Sequence, residues 1–448
     1  MTNKIGAYWL KSGFFALLGR SSNTLFAFIA FLILVKTLDP SELGVWSLYV
    51  SVCSFLELWK SGFVGNPLIR FASGEVGRKY SEIITSSLIL NTSISVIQIL
   101  VLFALAPFLS VVWESQALIE LFYVYMVSSL FLILQSHFTY LQQANFTFVG
   151  GFWSNLARQL CFFGFLAASY LFNYEYSLFE LAISQSAGAV MSTFIAYLFG
   201  KEFNKVSTFW SKDMIFKLLN FGKFTFGTNL GSTILRNIDS WMLGYLISTA
   251  AVGIYNPALR LSNLFELPTA TLTSVSFPKL VQRIKSEGAS AAKYLYEKSM
   301  GLIMAVIIPV VLVTIIFAEE IILIIAGSEY VETIDILRIT MLYGLIIPFN
   351  RQVGITLDAL GKPKVTFLFV IRNALINMVL NYFFIQFLGI IGAALATLTT
   401  FIFVLIYNQI YINNLIGVKI LRVFEYMFEF YVLGFNTAKS VLSGKQKT

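Results

Sequence analysis

The sequence predicts an all-α polytopic membrane protein, with twelve transmembrane helices in two parallel-repeat six-helix lobes around a central cleft. Three observations predict it. Of 448 residues, 57% are apolar and 12% charged, with a mean hydropathy of +0.78, whereas soluble domains carry about 25% charged residues. Apolar windows of about 20 residues, long enough to cross the hydrocarbon core, recur along the whole chain. The second half also repeats the first at a fixed offset. Two Cys and one His are too few for a disulfide scaffold, a zinc site or a haem centre, so no metal or other cofactor is expected.

The spans are read at residues 12–36, 44–68, 83–111, 117–141, 148–172, 178–199, 221–247, 251–277, 299–325, 334–358, 365–387 and 391–412. The first follows Lys4 and Lys11 as a signal peptide would. Arg20 interrupts it, however, and it ends in Lys-Thr-Leu-Asp-Pro rather than a small-residue cleavage site, so it reads as a retained span. One set of connections, termini included, carries twenty-one Lys and Arg, while the other carries only Lys36. Positive residues stay on the cytoplasmic side, so both termini are expected there. Topology accounts for the net charge of +8 without a nucleic acid partner. Residues 420–435 are apolar and aromatic but broken by Arg422, Glu425 and Glu429, a pattern for an interfacial cytoplasmic helix rather than a further crossing. The expected organisation is an N-terminal lobe over 1–200, a cytoplasmic linker over 201–220, a C-terminal lobe over 221–412 and a tail over 413–448.

An offset of 209 aligns the second span with the eighth. Gly44 falls on Gly253, and Phe55-Leu56-Glu57-Leu58 falls on Leu264-Phe265-Glu266-Leu267. A shared mid-span glutamate is harder to obtain by chance than matched apolar residues. Six spans separate the copies, so both halves cross the bilayer in the same sense, as in parallel-repeat transporters with a cleft between bundles.

Charges in hydrocarbon cost at least about 2.5 kcal/mol each and therefore face a cavity or a partner. The basic candidates are Arg20, Lys60, Arg158, Arg236, Arg260, Arg351 and Arg372, and the acids at depth are Glu57, Asp239, Glu266 and Asp358. Thr225, Asn229, Ser232, Arg236 and Asp239 recur at helical spacing in the seventh span. Asn256, Arg260 and Asn263 do so in the eighth, and Asn373, Asn377 and Asn381 in the eleventh. Such stripes fit a wet cleft with a cationic lining. The plainer readings are local neutralisation of Glu57 by Lys60 and of Asp239 by Arg236, and snorkelling of Arg158 and Arg372 to the headgroups. Arg20 and Arg260 have no acid on their own helix turn. His137 reads as a packing residue.

Guanidinium groups bind phosphate with matched geometry, so a cationic slot suits an amphipathic anion whose lipid tail stays in the bilayer. A drug antiporter that extrudes cations needs the opposite sign. An enzyme acting on lipid-linked sugars needs a sizeable outer loop, and the longest here is near 327–333.

Several stretches carry a family resemblance: Leu43-Gly44-Val45-Trp46-Ser47-Leu48-Tyr49, Asn237-Ile238-Asp239-Ser240-Trp241-Met242-Leu243-Gly244-Tyr245 with Val252-Gly253-Ile254-Tyr255-Asn256, Phe277-Pro278-Lys279-Leu280, Gly361-Lys362-Pro363-Lys364, and Gly389-Ile390-Ile391-Gly392-Ala393-Ala394-Leu395-Ala396-Thr397. Together they resemble the Wzx-type, O-antigen translocase-like polysaccharide flippases of the MOP exporter superfamily. The resemblance implies alternating-access translocation of undecaprenyl-pyrophosphate-linked oligosaccharide to the outer leaflet, beside a polysaccharide polymerase or glycosyltransferases. The family's cationic central cavity corresponds to the basic residues above, none of them fixed by a motif; the expected substrate contacts are Arg20, Lys60, Arg236 and Arg260, with Arg158, Arg351, Arg372, Asn229 and Asn263 as further candidates. Glu57, Asp239, Glu266 and Asp358 are the candidates for ion coupling. Related lipid II flippases have fourteen spans, and the lack of a final pair favours the polysaccharide branch. A multidrug or metabolite antiporter of the same superfamily is the alternative.

Overall fold

The structure, a computed structural model, describes residues 22, 25–264 and 289–442. Every regular element among the described residues is helical, as hydrocarbon demands, because a helix satisfies its backbone groups within one segment. In order these are α1 (Leu25–Thr37), α2 (Pro40–Lys60), a π turn (Ser61–Gly65), α3 (Asn66–Ala72), α4 (Gly77–Val112), α5 (Ala117–Ala144), α6 (Val149–Leu171), α7 (Leu178–Gly200), α8 (Lys212–Leu246), α9 (Thr249–Asn263), α10 (Ala289–Ile316), α11 (Ala318–Ile325), α12 (Thr333–Gly344), α13 (Ile347–Ala359), α14 (Pro363–Leu388), α15 (Ile390–Ile416) and α16 (Ile420–Leu442). Seven described segments are long and apolar enough to span a membrane: Gly77–Val112, Ala117–Ala144, Leu178–Phe203, Ala292–Ile316, Thr333–Ala359, Lys364–Leu388 and Ile390–Ile416. The protein is a multi-pass membrane protein. The first half of the expected first span, and the eighth beyond Leu264, lie outside the described residues.

Local chemistry sets the helix ends. Asp39 caps α2 and Ser177 caps α7, each in a reciprocal box with Glu42 or Glu180. The expected tenth span is two helices, α12 and α13, interrupted just before Pro348, a residue suited to a first turn but not to a helix interior. Gly389, at φ 63°, separates α14 from α15 in a conformation that only glycine adopts without strain.

The chain divides into two compact units, Met1–Asn237 with Ser248–Gly253, and Ile238–Ile247 with Ile254–Thr448. In the first unit, α7 packs along both α5 and α6, and α4 packs on α5. Leu68, Ile83, Ile84, Leu141, Ala196 and Leu218 form one buried cluster. Leu218 explains why α8 begins nine residues before the expected span. Burial of a leucine is worth about 2 kcal/mol, and Met214 and Leu218 take it from this core.

Residues 203–211 are fastened to the same unit. Tyr80 donates to Phe203 O, Thr85 Oγ1 both donates to Ser207 O and accepts from Ser207 N, Ser211 N donates to Ser86 Oγ, and His137 Nε2 bonds Asn204 Oδ1. His137 is buried, and its ring also meets Phe138 edge-on.

The internal repeat has a physical counterpart in this unit. A Cβ on Gly44 would collide with Thr249 O, and one on Gly253 would collide with Pro40 O. Adding 209 converts residue 44 into 253 and residue 40 into 249, so each contact is the repeat image of the other. Ser41 and Thr249 share a hydrogen bond of 3.1 Å at the same crossing.

In the second unit, α14 packs on α15, and α10 packs on α16. Glu297, buried in α10, accepts from Lys419 N at 2.9 Å and so satisfies a backbone donor just before α16. Gly301 lets Val423, Tyr426 and Met427 close on α10. The other side of α16 exposes Leu421, Phe424, Phe428 and Val432. This helix covers the expected interfacial segment and extends it to Leu442.

Candidate functional site

Among the described residues, Glu57 in the first unit and Asp239 in the second each sit in a polar cluster within a membrane helix, and the two clusters are built differently. In the first unit, α2 brings Glu57 and Lys60 together one turn apart. Lys60 Nζ donates to Glu57 Oε1 at 3.0 Å and is fully buried, while the Glu57 side chain is 34% exposed. Tyr125 of α5 donates to the same oxygen at 2.7 Å. The Arg158 guanidinium, half-buried on α6, lies within electrostatic reach of Glu57, Tyr49 and Cys53. The π turn follows Lys60 directly, where Gly62 meets Phe226 and Gly65 meets the Tyr140 ring. π turns inside α-helices occur often at functional sites.

In the second unit, Asp239 sits at 4% exposure among neutral donors. Its Oδ1 accepts from Asn381 Nδ2 at 2.8 Å, its Oδ2 accepts from the Tyr255 hydroxyl at 2.8 Å, and Thr397 Oγ1 lies 2.9 and 2.8 Å from the two oxygens. Asn377 donates to Thr397 and Thr400 and shares α14 with Asn381. The buried side-chain oxygens of Asn377 and Asn381 have no hydrogen-bond donor. Four helices, α8, α9, α14 and α15, thus surround one carboxylate without supplying a positive charge through any of these bonds. Burying a carboxylate among neutral donors costs free energy that a bound proton or cation would offset. Asp239, Tyr255 and Thr397 present oxygen atoms, the ligand type of a hard ion, while Asn381 presents its nitrogen. No group of three or more His, Cys, Asp or Glu able to hold a metal occurs among the described residues.

The remaining candidates fall in separate places. Arg236 is exposed and donates to Thr233 at 3.2 Å, in contrast to the local pairing with Asp239 considered from spacing. Asn229, Arg260 and Arg351 are half-buried, and Asn263 is exposed. Arg372 lies over Tyr407 at 3.9 Å and Phe369 at 4.7 Å, and donates to Asn373 and Asn408. Asp358 is exposed and accepts from Thr366 at 2.8 Å. Arg20 and Glu266 lie outside the described residues.

Sequence reasoning singled out Glu57, Lys60, Asp239 and the Asn377 and Asn381 row. It missed Tyr125, Tyr255 and Thr397. The hydroxyl-bearing residues of an apolar helix give a weak signal by themselves, although Tyr255 stands two residues after the repeated Gly253.

The helices and their apolar lengths define a polytopic α-helical membrane protein. The chain belongs to the polysaccharide biosynthesis protein family, which matches residues 33–335. A probable low-salt glycan biosynthesis flippase of Haloferax volcanii is 24% identical over 225 residues, covering 50% of this chain and 46% of that protein. An uncharacterized membrane protein of Methanocaldococcus jannaschii is 24% identical over 252 residues, 55% of this chain and 50% of that one. The chain thus matches about half the length of these curated relatives. Among solved structures, the inward closed lipid II flippase MurJ superposes with a TM-score of 0.75 at 16% identity, covering 97% of this chain and 94% of that chain. An inward-facing multidrug resistance MATE family transporter of the MOP superfamily gives 0.71 at 16% identity, covering 89% and 98%. These likenesses establish the fold, and they agree with the family read from the sequence motifs.

Proposed function

We propose that the protein is a flippase that moves undecaprenyl-pyrophosphate-linked oligosaccharide repeat units from the inner to the outer leaflet of a bacterial cytoplasmic membrane by alternating access. The family match over residues 33–335 carries the reading, and two relatives in Haloferax volcanii bear the name probable flippase. In this proposal the two six-helix lobes rock about a cationic cleft. Arg20, Lys60, Arg236 and Arg260 neutralise the pyrophosphate while the prenyl chain stays in lipid, with Arg158, Arg351, Arg372, Asn229 and Asn263 completing the polar lining. Lys60 performs this role only if Glu57 releases it, since the two are paired at 3.0 Å. Asp239 is the strongest of the ion-coupling candidates, because its hydrogen-bond donors are neutral. In this proposal both termini face the cytoplasm, and the neighbours in the pathway are of the polymerase or glycosyltransferase class.

Depletion in cells tests the reading. Lipid-linked repeat units should accumulate on the cytoplasmic leaflet and surface glycan should fall, with Arg20→Ala and Arg260→Ala losing more transport than Arg158→Ala at equal protein levels. Unchanged glycan and unchanged intermediates would remove the assignment. The second reading, a multidrug or metabolite antiporter, draws on the likeness to the MATE fold. It requires extrusion of cationic dyes that Glu266→Gln abolishes.

A further inference from the structure

Residues 201–217 combine two properties that seldom meet in a fixed segment. Val206, Phe209, Trp210 and Phe216 are exposed at 44%, 48%, 49% and 62%. Lys201, Lys205, Lys212 and Lys217 are exposed among them, against Glu202 and Asp213. The exposure is not that of a loose loop. The bonds from Tyr80, Thr85, Ser86 and His137 hold residues 203–211 against the first unit. Met214 and Leu218 are sunk in its core. With those positions turned inward, the aromatics and lysines are held outward. Arg78, at the start of α4, extends the basic face by stacking over Phe209 at 4.3 Å.

Water alone gives such a face no gain, because four large apolar side chains stay wet. The headgroup layer of a bilayer takes both halves of it: rings settle at the boundary with the acyl chains, and ammonium groups meet phosphate. The surplus of lysine favours an acidic bilayer, where each basic residue near the surface strengthens binding about fivefold. We infer that the outward face of residues 201–217 docks on acidic phospholipid headgroups and anchors the first unit's rim at the membrane surface. The inference is independent of what the protein transports.

The test uses the full chain in nanodiscs of phosphatidylcholine alone or mixed with phosphatidylglycerol, with amide hydrogen exchange read over residues 201–217. Phosphatidylglycerol should slow exchange there severalfold and leave α5 unchanged, and high salt should remove the difference. The variant Lys201→Gln, Lys205→Gln, Lys212→Gln, Lys217→Gln should lose the response, and the corresponding Lys→Arg variant should keep it. The Trp210 contribution, taken as wild type minus Trp210→Phe, should be quenched by bromine-labelled acyl chains. Equal exchange in both lipids would overturn the inference. So would protection by soluble pyrophosphate in phosphatidylcholine discs, which would assign the lysines to a soluble phosphate ligand instead of the bilayer.

Discussion

Glu57 and Asp239 are both acids in membrane helices, yet their surroundings assign them different work. Glu57 has a formal counter-charge, Lys60, on its own helix and a second basic group, Arg158, in reach. Asp239 has a tyrosine, a threonine and an asparagine. A neutralised pair can stay charged in place, whereas burial of an acid among neutral donors favours its uptake of a proton or a cation. In the proposed transport cycle this difference would make Glu57 a structural brace and Asp239 the coupling site, although the sequence presents both as intramembrane carboxylates.

The largest expected effect breaks the comparison outright. Asp239→Asn preserves the size of the side chain but not its charge, and it should reduce glycan translocation by about tenfold or more, a loss of about 1.4 kcal/mol or more at the rate-limiting step. Glu57→Gln should change transport less, while acting on stability instead. Comparable transport by Asp239→Asn and wild type would show that the second-unit carboxylate is structural too.

Next in size is the brace itself. Glu57→Gln leaves the Lys60 ammonium buried without its partner and should cost about 2 kcal/mol, below the usual range for a buried pair because Glu57 is partly solvated. Glu57→Leu combined with Lys60→Met should recover most of that, since a well-packed apolar pair often replaces a buried ion pair without loss. Thermal unfolding in detergent gives the stabilities. If the double variant also transports, Lys60 is not a substrate contact.

A smaller effect tests the repeat contact. Gly44→Ala and Gly253→Ala push a methyl group into equivalent backbone oxygens, so each should cost about 1–3 kcal/mol, and the two costs should not add because the sites share one crossing. The smallest effect is at the caps. Ser177→Ala and Asp39→Ala should each lower stability by about 1 kcal/mol.

Much of this was legible in the sequence where the information is local. Helix positions follow from apolar length, and Glu57 beside Lys60 follows from helical spacing, whereas the interruption before Pro348 falls inside a span read as continuous. The polar row of Asn377 and Asn381 also announced a buried polar face on α14. What stayed hidden depends on partners distant in the chain. Thr397 and Tyr255 lie in stretches that carry the family resemblance, but they reach Asp239 from other helices, and nothing within α15 or α9 marks that meeting. Arg372 has Phe369 three residues away, a readable neighbour, but Tyr407 comes from α15. Residues 201–211 have the composition of a free linker. Their attachment rests on Thr85 and Ser86, small polar residues in an otherwise apolar helix.

The central claim is that this chain carries a lipid-linked glycan across a bilayer. The most direct measurement places the purified protein in liposomes with a labelled prenyl-pyrophosphate oligosaccharide and follows how much of it becomes inaccessible to a membrane-impermeant glycosidase. The account predicts protein-dependent transfer between leaflets that Asp239→Asn suppresses. Retention of the whole label in the donor leaflet, beside folded protein that transports a cationic dye, would contradict it.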